Sequence, residues 1–123
     1  MACSLAARIA AAEADIELDL AYVDLKNKRL EDGRSYLDVN PLGQVSVLRL
    51  TNGRLLSETS AVLVWLQANA GPTMTQIPAE SDDYYELLRW ISFCATELHK
   101  QIFRVLFYPE ATAEVKELSL IHI

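Results

Sequence analysis

A chain of 123 residues is long enough to bury a core, and 51% apolar with 23% charged residues is the balance of a globular protein. Its net charge of −6 lacks the basic footprint that nucleic acid or an anionic membrane surface requires, but leaves room for a small anion held locally. No apolar run approaches the ~20 residues of a membrane span, and the alanine-rich start, interrupted by Arg8 and Glu13, makes a poor signal peptide. Two cysteines, Cys3 and Cys94, form neither a disulfide framework nor a zinc cluster, which suits a reducing cytosol.

The first 14 residues predict a helix, with Cys3 at its start and Leu5, Ile9 and Ala12 spaced i, i+4, i+7 to face a core. Residues 16–24 alternate as a strand does, with Ile16, Leu18, Leu20 and Tyr22 on one face and Glu17, Asp19, Ala21 and Val23 on the other. Residues 25–32 are polar, and Lys26, Lys28 and Arg29 make a basic island that, taken alone, reads as a solvated loop. A short helical turn over 34–39 ends at Asn40-Pro41, because proline pushes the preceding residue out of the α region.

Residues 40–66 concentrate the strongest local signals. Val45, Val47 and Leu50 predict a strand, Asn52-Gly53 a tight turn at positions that tolerate positive φ, and Leu55-Leu56 the return strand. Ser57-Glu58-Thr59-Ser60 offers capping oxygens and an acidic first turn to a helix that is apolar on nearly every side and so must be buried. Gly71, Pro72 and Pro78 mark a linker. Ser81, with Asp82 and Asp83, then starts a long helix whose Leu87, Leu88, Ile91, Ala95, Leu98, Ile102 and Val105 step into one stripe, with Cys94 expected in the core. Pro109 follows its stop, and another helix begins near Thr112.

The pattern N-P-x-G-Q-V at 40–45, the hairpin, and L-x-E-[ST]-x-A-[VI]-L-x-[WY]-L at 56–66 resemble the second half of the thioredoxin-like domain of glutathione S-transferases. A-C-S-L at 2–5 and A-T-E-L-H-K at 95–100 narrow the resemblance to the bacterial, cysteine-bearing beta class, over about residues 2–117. It implies an α/β fold: a thioredoxin-like glutathione-binding domain at 1–70, a linker at 71–80, and the start of an all-α C-terminal domain at 81–123. The family carries a strand and a Pro-Gly loop ahead of A-C-S-L, so a domain lacking its first strand, truncated at both ends, is expected. Residues 118–123 depart from the family pattern, and His122 carries no expected role.

The resemblance also assigns residues. Cys3, at a helix N-terminus, faces the dipole's positive end and open N–H groups, a setting for thiolate chemistry, although a small buried hydrophobe is the plain alternative. Without a C-x-x-C, redox chemistry would run through a mixed disulfide with glutathione. The backbone of Val45 would hold the cysteinyl part of glutathione as an added strand does. The family has a cis-proline next; here Ser46 follows, and since a cis bond to a non-proline residue costs about 3–4 kcal/mol, a trans bond is expected. Glu58 and Thr59 would bind the γ-glutamyl end, Thr59 and the helix N–H groups taking its carboxylate; the plain alternative is an ordinary N-cap. Lys28 would pair with the glycyl carboxylate, while Thr96, Glu97 and His99 would face the thiol pocket, with His99 donating to sulfur.

The expected activity is glutathione conjugation: glutathione, as co-substrate, attacks a small electrophile, with Cys3 and His99 at the reacting centre. The alternatives are a glutathione-dependent thiol–disulfide reductase using Cys3 alone, or an inactive fragment. The resemblance further implies detoxification by a cytoplasmic homodimer, with no metal, nucleic acid or membrane partner.

Overall fold

A computed structural model describes residues 2–72 and 74–121, so His122 lies outside the described residues. The chain divides into two compact units, the first reaching Ile77 and the second starting at Pro78.

In the first unit, helix α1 (Ala2–Glu13) packs on helix α2 (Thr59–Ala68). Ala7 and Ala11 meet Val62 and Leu66, and Ile16, Leu18, Leu48, Leu56 and Trp65 close around them. The inner face of α1 is therefore not the one that Leu5, Ile9 and Ala12 predict: Leu5 and Ile9 are 53% and 54% exposed. Alanines let the two helices approach closely, so Val62 and Leu66 fill a space that leucines from α1 would overfill. Helix α2 is buried or half-buried at every position from Thr59 to Gln67, as its all-round apolarity requires. Beyond it, the Gly71 N–H donates to the Ala14 carbonyl at 2.7 Å and ties the two helix ends together.

The chain at 16–22 keeps its alternation only to Asp19, with Ile16 and Leu18 half-buried and Glu17 and Asp19 exposed; Leu20 and Tyr22, expected on the same face, are exposed, and the segment is not a strand. A strand needs a neighbour as well as a pattern, and among the described residues no ladder runs beside 16–22. Pairing begins only at β1 (Val23–Asp24), antiparallel to β2 (Arg29–Leu30), with Val23 opposite Leu30 and Asp24 opposite Arg29. The Asp24 carboxylate closes the turn by accepting from the N–H groups of Lys26 and Asn27 and from the Asn27 amide, at 2.9, 3.1 and 2.7 Å. Those bonds, Asn27's N–H foremost, hold its carboxyl below the usual range.

A 3₁₀ turn at Tyr36–Asp38 follows, capped by the Ser35 hydroxyl, which accepts from the Leu37 N–H at 3.2 Å. The hairpin comes next: β3 (Val47–Arg49) and β4 (Leu55–Ser57) are antiparallel, with Leu48 opposite Leu56. Its turn is wider than a two-residue loop. The Leu50 N–H donates to the Arg54 carbonyl, and of Asn52 and Gly53 only Gly53 takes a positive φ, 82°. Asn52 instead accepts from the Arg54 N–H at 3.0 Å, an Asx turn.

The second unit is helical. Helix α3 (Asp82–Phe93) starts at Ser81, whose hydroxyl accepts from the Tyr84 N–H at 3.2 Å with Asp82 and Asp83 in the first turn. It continues into a π-helix (Cys94–Phe103), where the Arg104 N–H reaches back five residues to the His99 carbonyl, and into α4 (Arg104–Leu106). The predicted stripe from Leu87 to Val105 is the inner face; each member is half-buried, and Ile102 is 1% exposed. Cys94 is exposed rather than in the core, because it falls between the stripe positions Ile91 and Ala95. Helix α5 (Ala113–Leu120) is capped by the Thr112 hydroxyl.

Candidate functional site

The loop at 40–46 carries Val45 and touches two other predicted binding residues, Lys28 and Thr59, and three groups brace it. The Tyr36 hydroxyl and the Asn40 side-chain amide both donate to the Gln44 carbonyl, at 2.7 and 2.8 Å. Tyr36 is 3% exposed and Asn40 7% exposed, so both bonds are made from inside the unit. The third brace is the Lys28 ammonium, which donates to the Gly43 carbonyl at 2.7 Å. Lys28 itself stands at φ 54°, the left-handed region, in the turn between β1 and β2. Gly43 has φ 61°, and a Cβ there would come within 3.1 Å of the Lys28 stem and of Leu37, so glycine is what lets the lysine cross the loop. The basic island is thus no free loop: Lys28 keeps two of its three donors beyond the one it gives to Gly43.

From this loop the chain enters Val45–Ser46. The cost of a cis bond before serine predicts trans, but the bond is cis. That cost is a local quantity and takes no account of tertiary contacts. Ser46 is half-buried, and its Oγ lies 3.1 Å from the Oγ1 of Thr59, the first residue of α2. The loop and the helix start are joined by side chains that a proline would not offer.

The start of α2 also differs from an ordinary cap. Glu58 occupies the N-cap position with φ 67° and ψ 119°, and among the described residues no side chain caps the helix. Ser57, Thr59 and Ser60 carry the expected oxygens, but the backbone at Glu58 turns left-handed and Thr59 directs its hydroxyl to Ser46. The N–H groups of the first turn are therefore not taken by a side chain, and they carry the positive end of the helix dipole. A residue held at such a φ without glycine is a common mark of a ligand-contacting turn. Cys3 lies in the first turn of α1, half-buried.

Thr96, Glu97 and His99 belong to the second unit and lie on the π-helix, all exposed. The Glu97 carboxylate is held along the helix: the Thr96 hydroxyl donates to Oε1 at 2.8 Å and the Gln101 amide to Oε2 at 2.7 Å. π-turns are rare and concentrate at functional sites. Sequence periodicity does not reveal this one, since Ala95, Leu98 and Ile102 step by threes and fours in either register.

Reading the sequence also missed the partners that hold the site. Tyr36 and Asn40 carry no chemistry of their own, and Ser46 registers there only as a departure from the family. Among the described residues no group of three or more His, Cys, Asp or Glu could hold a metal ion, and no helix is long and apolar enough to cross a membrane.

Known proteins match this chain in sequence and in fold. Residues 1–69 match the family described as glutathione S-transferase, N-terminal domain. The chain is 41% identical over 115 residues to glutathione S-transferase GstA of Escherichia coli O157:H7, covering 94% of this chain and 57% of that protein. Among solved structures, a sphingomonad glutathione S-transferase complexed with glutathione superposes with a TM-score of 0.89 at 34% identity, over 98% of this chain and 59% of that one. The bacterial beta-class glutathione S-transferase of Sphingomonas chungbukensis superposes at 0.87 with 33% identity, over 98% and 60%. The chain thus spans somewhat under two thirds of the length of these relatives. Its fold is a thioredoxin-like N-terminal domain followed by a helical part, and the chain belongs to the glutathione S-transferase family.

Proposed function

We propose that the first unit binds glutathione and that the protein transfers its thiolate to small electrophiles. The observation that carries this reading is the start of α2: among the described residues no side-chain cap takes its N–H groups, and it is joined to a loop that Tyr36, Asn40 and Lys28 hold in place. A tripeptide with a carboxylate at each end suits such a frame. The γ-glutamyl carboxylate meets Thr59 and the α2 N–H groups, and its ammonium meets Glu58. The cysteinyl backbone pairs with Val45, and the glycyl carboxylate takes the donors that Lys28 keeps. Thr96, Glu97 and His99 of the second unit are proposed to bind glutathione as well, with Cys3 and His99 as the catalytic residues. Binding places the thiolate beside the electrophile, so that positioning supplies much of the rate. Residues 1–70 form the glutathione-binding domain, 71–80 the linker and 81–123 the helical part. The protein works as a cytoplasmic homodimer in electrophile detoxification; the exposed Trp90, Phe93 and Phe103 support a self-associating surface.

The test pairs two measurements on the full chain. Intact mass after incubation with oxidised glutathione, read in a Cys94→Ser background because Cys94 is exposed, should report one adduct, lost when Cys3→Ala is added. Conjugation of a small aromatic electrophile should persist at a measurable fraction in Cys3→Ala and fall further in His99→Ala, by about 10²-fold if His99 acts on the proton of the thiol. Conjugation erased by Cys3→Ala with the adduct retained would reverse the two roles, and a chain that binds no glutathione would overturn the reading.

A further inference from the structure

The pair Ser46 and Thr59 carries a consequence of its own. Each hydroxyl has one proton to donate and two lone pairs, and at 3.1 Å either can be the donor to the other. A carboxylate offers only acceptors. If Thr59 gives its proton to a carboxylate, it accepts from Ser46, and the two hydroxyls line up as one chain of donors: Ser46 to Thr59 to carboxylate. Both residues are half-buried, where such chains strengthen because each bond polarises the next. We infer that Ser46 is a positioning residue for glutathione: its hydroxyl sets the Thr59 proton toward the γ-glutamyl carboxylate and makes this chain selective for ligands that carry that group.

This inference rests on the reading of the first unit as a glutathione site and deepens it. It assigns Ser46 no contact with the ligand. Asn40 and Tyr36 hold the preceding loop by the Gln44 carbonyl, so the Ser46 hydroxyl is not what keeps the loop in place. That separation makes the effect measurable apart from folding.

The experiment titrates the full chain with two ligands, glutathione and the analogue in which 4-aminobutanoate replaces the γ-glutamyl residue, so that only the α-carboxylate is missing. The wild-type protein should prefer glutathione. Ser46→Ala should weaken glutathione by about three- to tenfold, the fold-change of one hydrogen bond's net contribution, and leave the analogue unchanged. Ser46→Thr, which keeps the hydroxyl, should restore the preference. In a Thr59→Val background, Ser46→Ala should have no further effect, since the chain of donors is already broken. If Ser46→Ala does not fold, Ser46→Cys replaces it; its weaker donor should give an intermediate preference. Equal losses for both ligands would mean that Ser46 acts on the loop alone and would overturn the inference, as would no loss at all. A wild-type protein that binds glutathione and the analogue equally well also overturns it, while leaving the glutathione site standing. A wild-type protein that binds neither overturns both.

Discussion

In the first unit the loop carrying Val45 sits on backbone braced from several directions; in the second, Thr96 and Glu97 sit on an exposed helix and bond to neighbours along that same helix. Gln44 and Gly43 are pinned by Tyr36, Asn40 and Lys28, residues 4 to 15 positions away in sequence. Glu97, by contrast, is held by Thr96 and Gln101, one and four positions away. The burial follows the same line. Among the described residues Ala7, Ala11, Ala14, Tyr36, Val62, Leu66 and Ala70 are buried in the first unit, whereas Ile102 is the buried apolar residue of the second, and α3 has none. Tertiary bracing gives the first unit a geometry fit to orient a ligand before it arrives; local bracing gives the second a Glu97 carboxylate held along the helix itself.

The largest expected effect tests that contrast directly. Leu66 is fully buried at the α1–α2 contact, while Phe107 is 79% exposed. Leu66→Ala should cost about 3 kcal/mol, within the range for buried leucines, and Phe107→Ala should stay within about 0.5 kcal/mol, as surface changes do. Urea unfolding followed by far-UV circular dichroism measures both. Equal losses would mean that Phe107 is covered in solution and that the contrast between the units is smaller than described.

What could be read from the sequence was what is local. The Ser81 and Thr112 caps, the chain reversal at Asn52-Gly53, although wider than a two-residue turn, and the stripe from Leu87 to Val105 each need only neighbours a few residues away, and each is present. The family resemblance, carried by the residues at 40–66, also gave the fold. Errors arose where a partner decides the outcome. Leu5, Ile9 and Ala12 satisfy helical periodicity, but α2 selects the alanine face of α1. Residues 16–22 have the strand pattern without a ladder. The left-handed Glu58, the uncapped α2 and the Ser46–Thr59 contact depend on how the hairpin meets the helix, which no short spacing encodes.

A smaller effect is expected at the loop itself. Gly43→Ala places a methyl group within 3.1 Å of the Lys28 stem at a residue with φ 61°. The stem is flexible, but moving it breaks the ammonium's bond to the Gly43 carbonyl. Together with the backbone cost of a left-handed alanine, the loss should be about 1–2 kcal/mol. Affinity for glutathione should fall as well, since Lys28 is displaced. Stability lost with affinity unchanged would separate Lys28 from the ligand and leave it a purely structural brace.

The smallest effect sharpens the comparison through pH. Tyr36 is buried, and burial raises its phenol above the ordinary value of 10.0, only partly opposed by the Asn40 amide. A group whose folded value is raised binds its proton more tightly in the native state. Its contribution to stability is complete below about pH 10, where the unfolded tyrosine is still protonated, and is lost as pH rises from there through the folded value. Tyr36→Phe removes both the titrating group and its bond to the Gln44 carbonyl, which Asn40 continues to satisfy. At pH 7 the variant should lose about 1 kcal/mol, the net contribution of one hydrogen bond. Between pH 10 and 11.5 the wild-type protein should lose stability faster than the variant, so that the gap between them narrows. The other four tyrosines are common to both proteins and cancel from the difference. Urea midpoints measured from pH 8 to 11.5 decide it: parallel curves would mean that the Tyr36 hydroxyl is open to water, and that the loop carrying Val45 is braced by Asn40 and Lys28 alone.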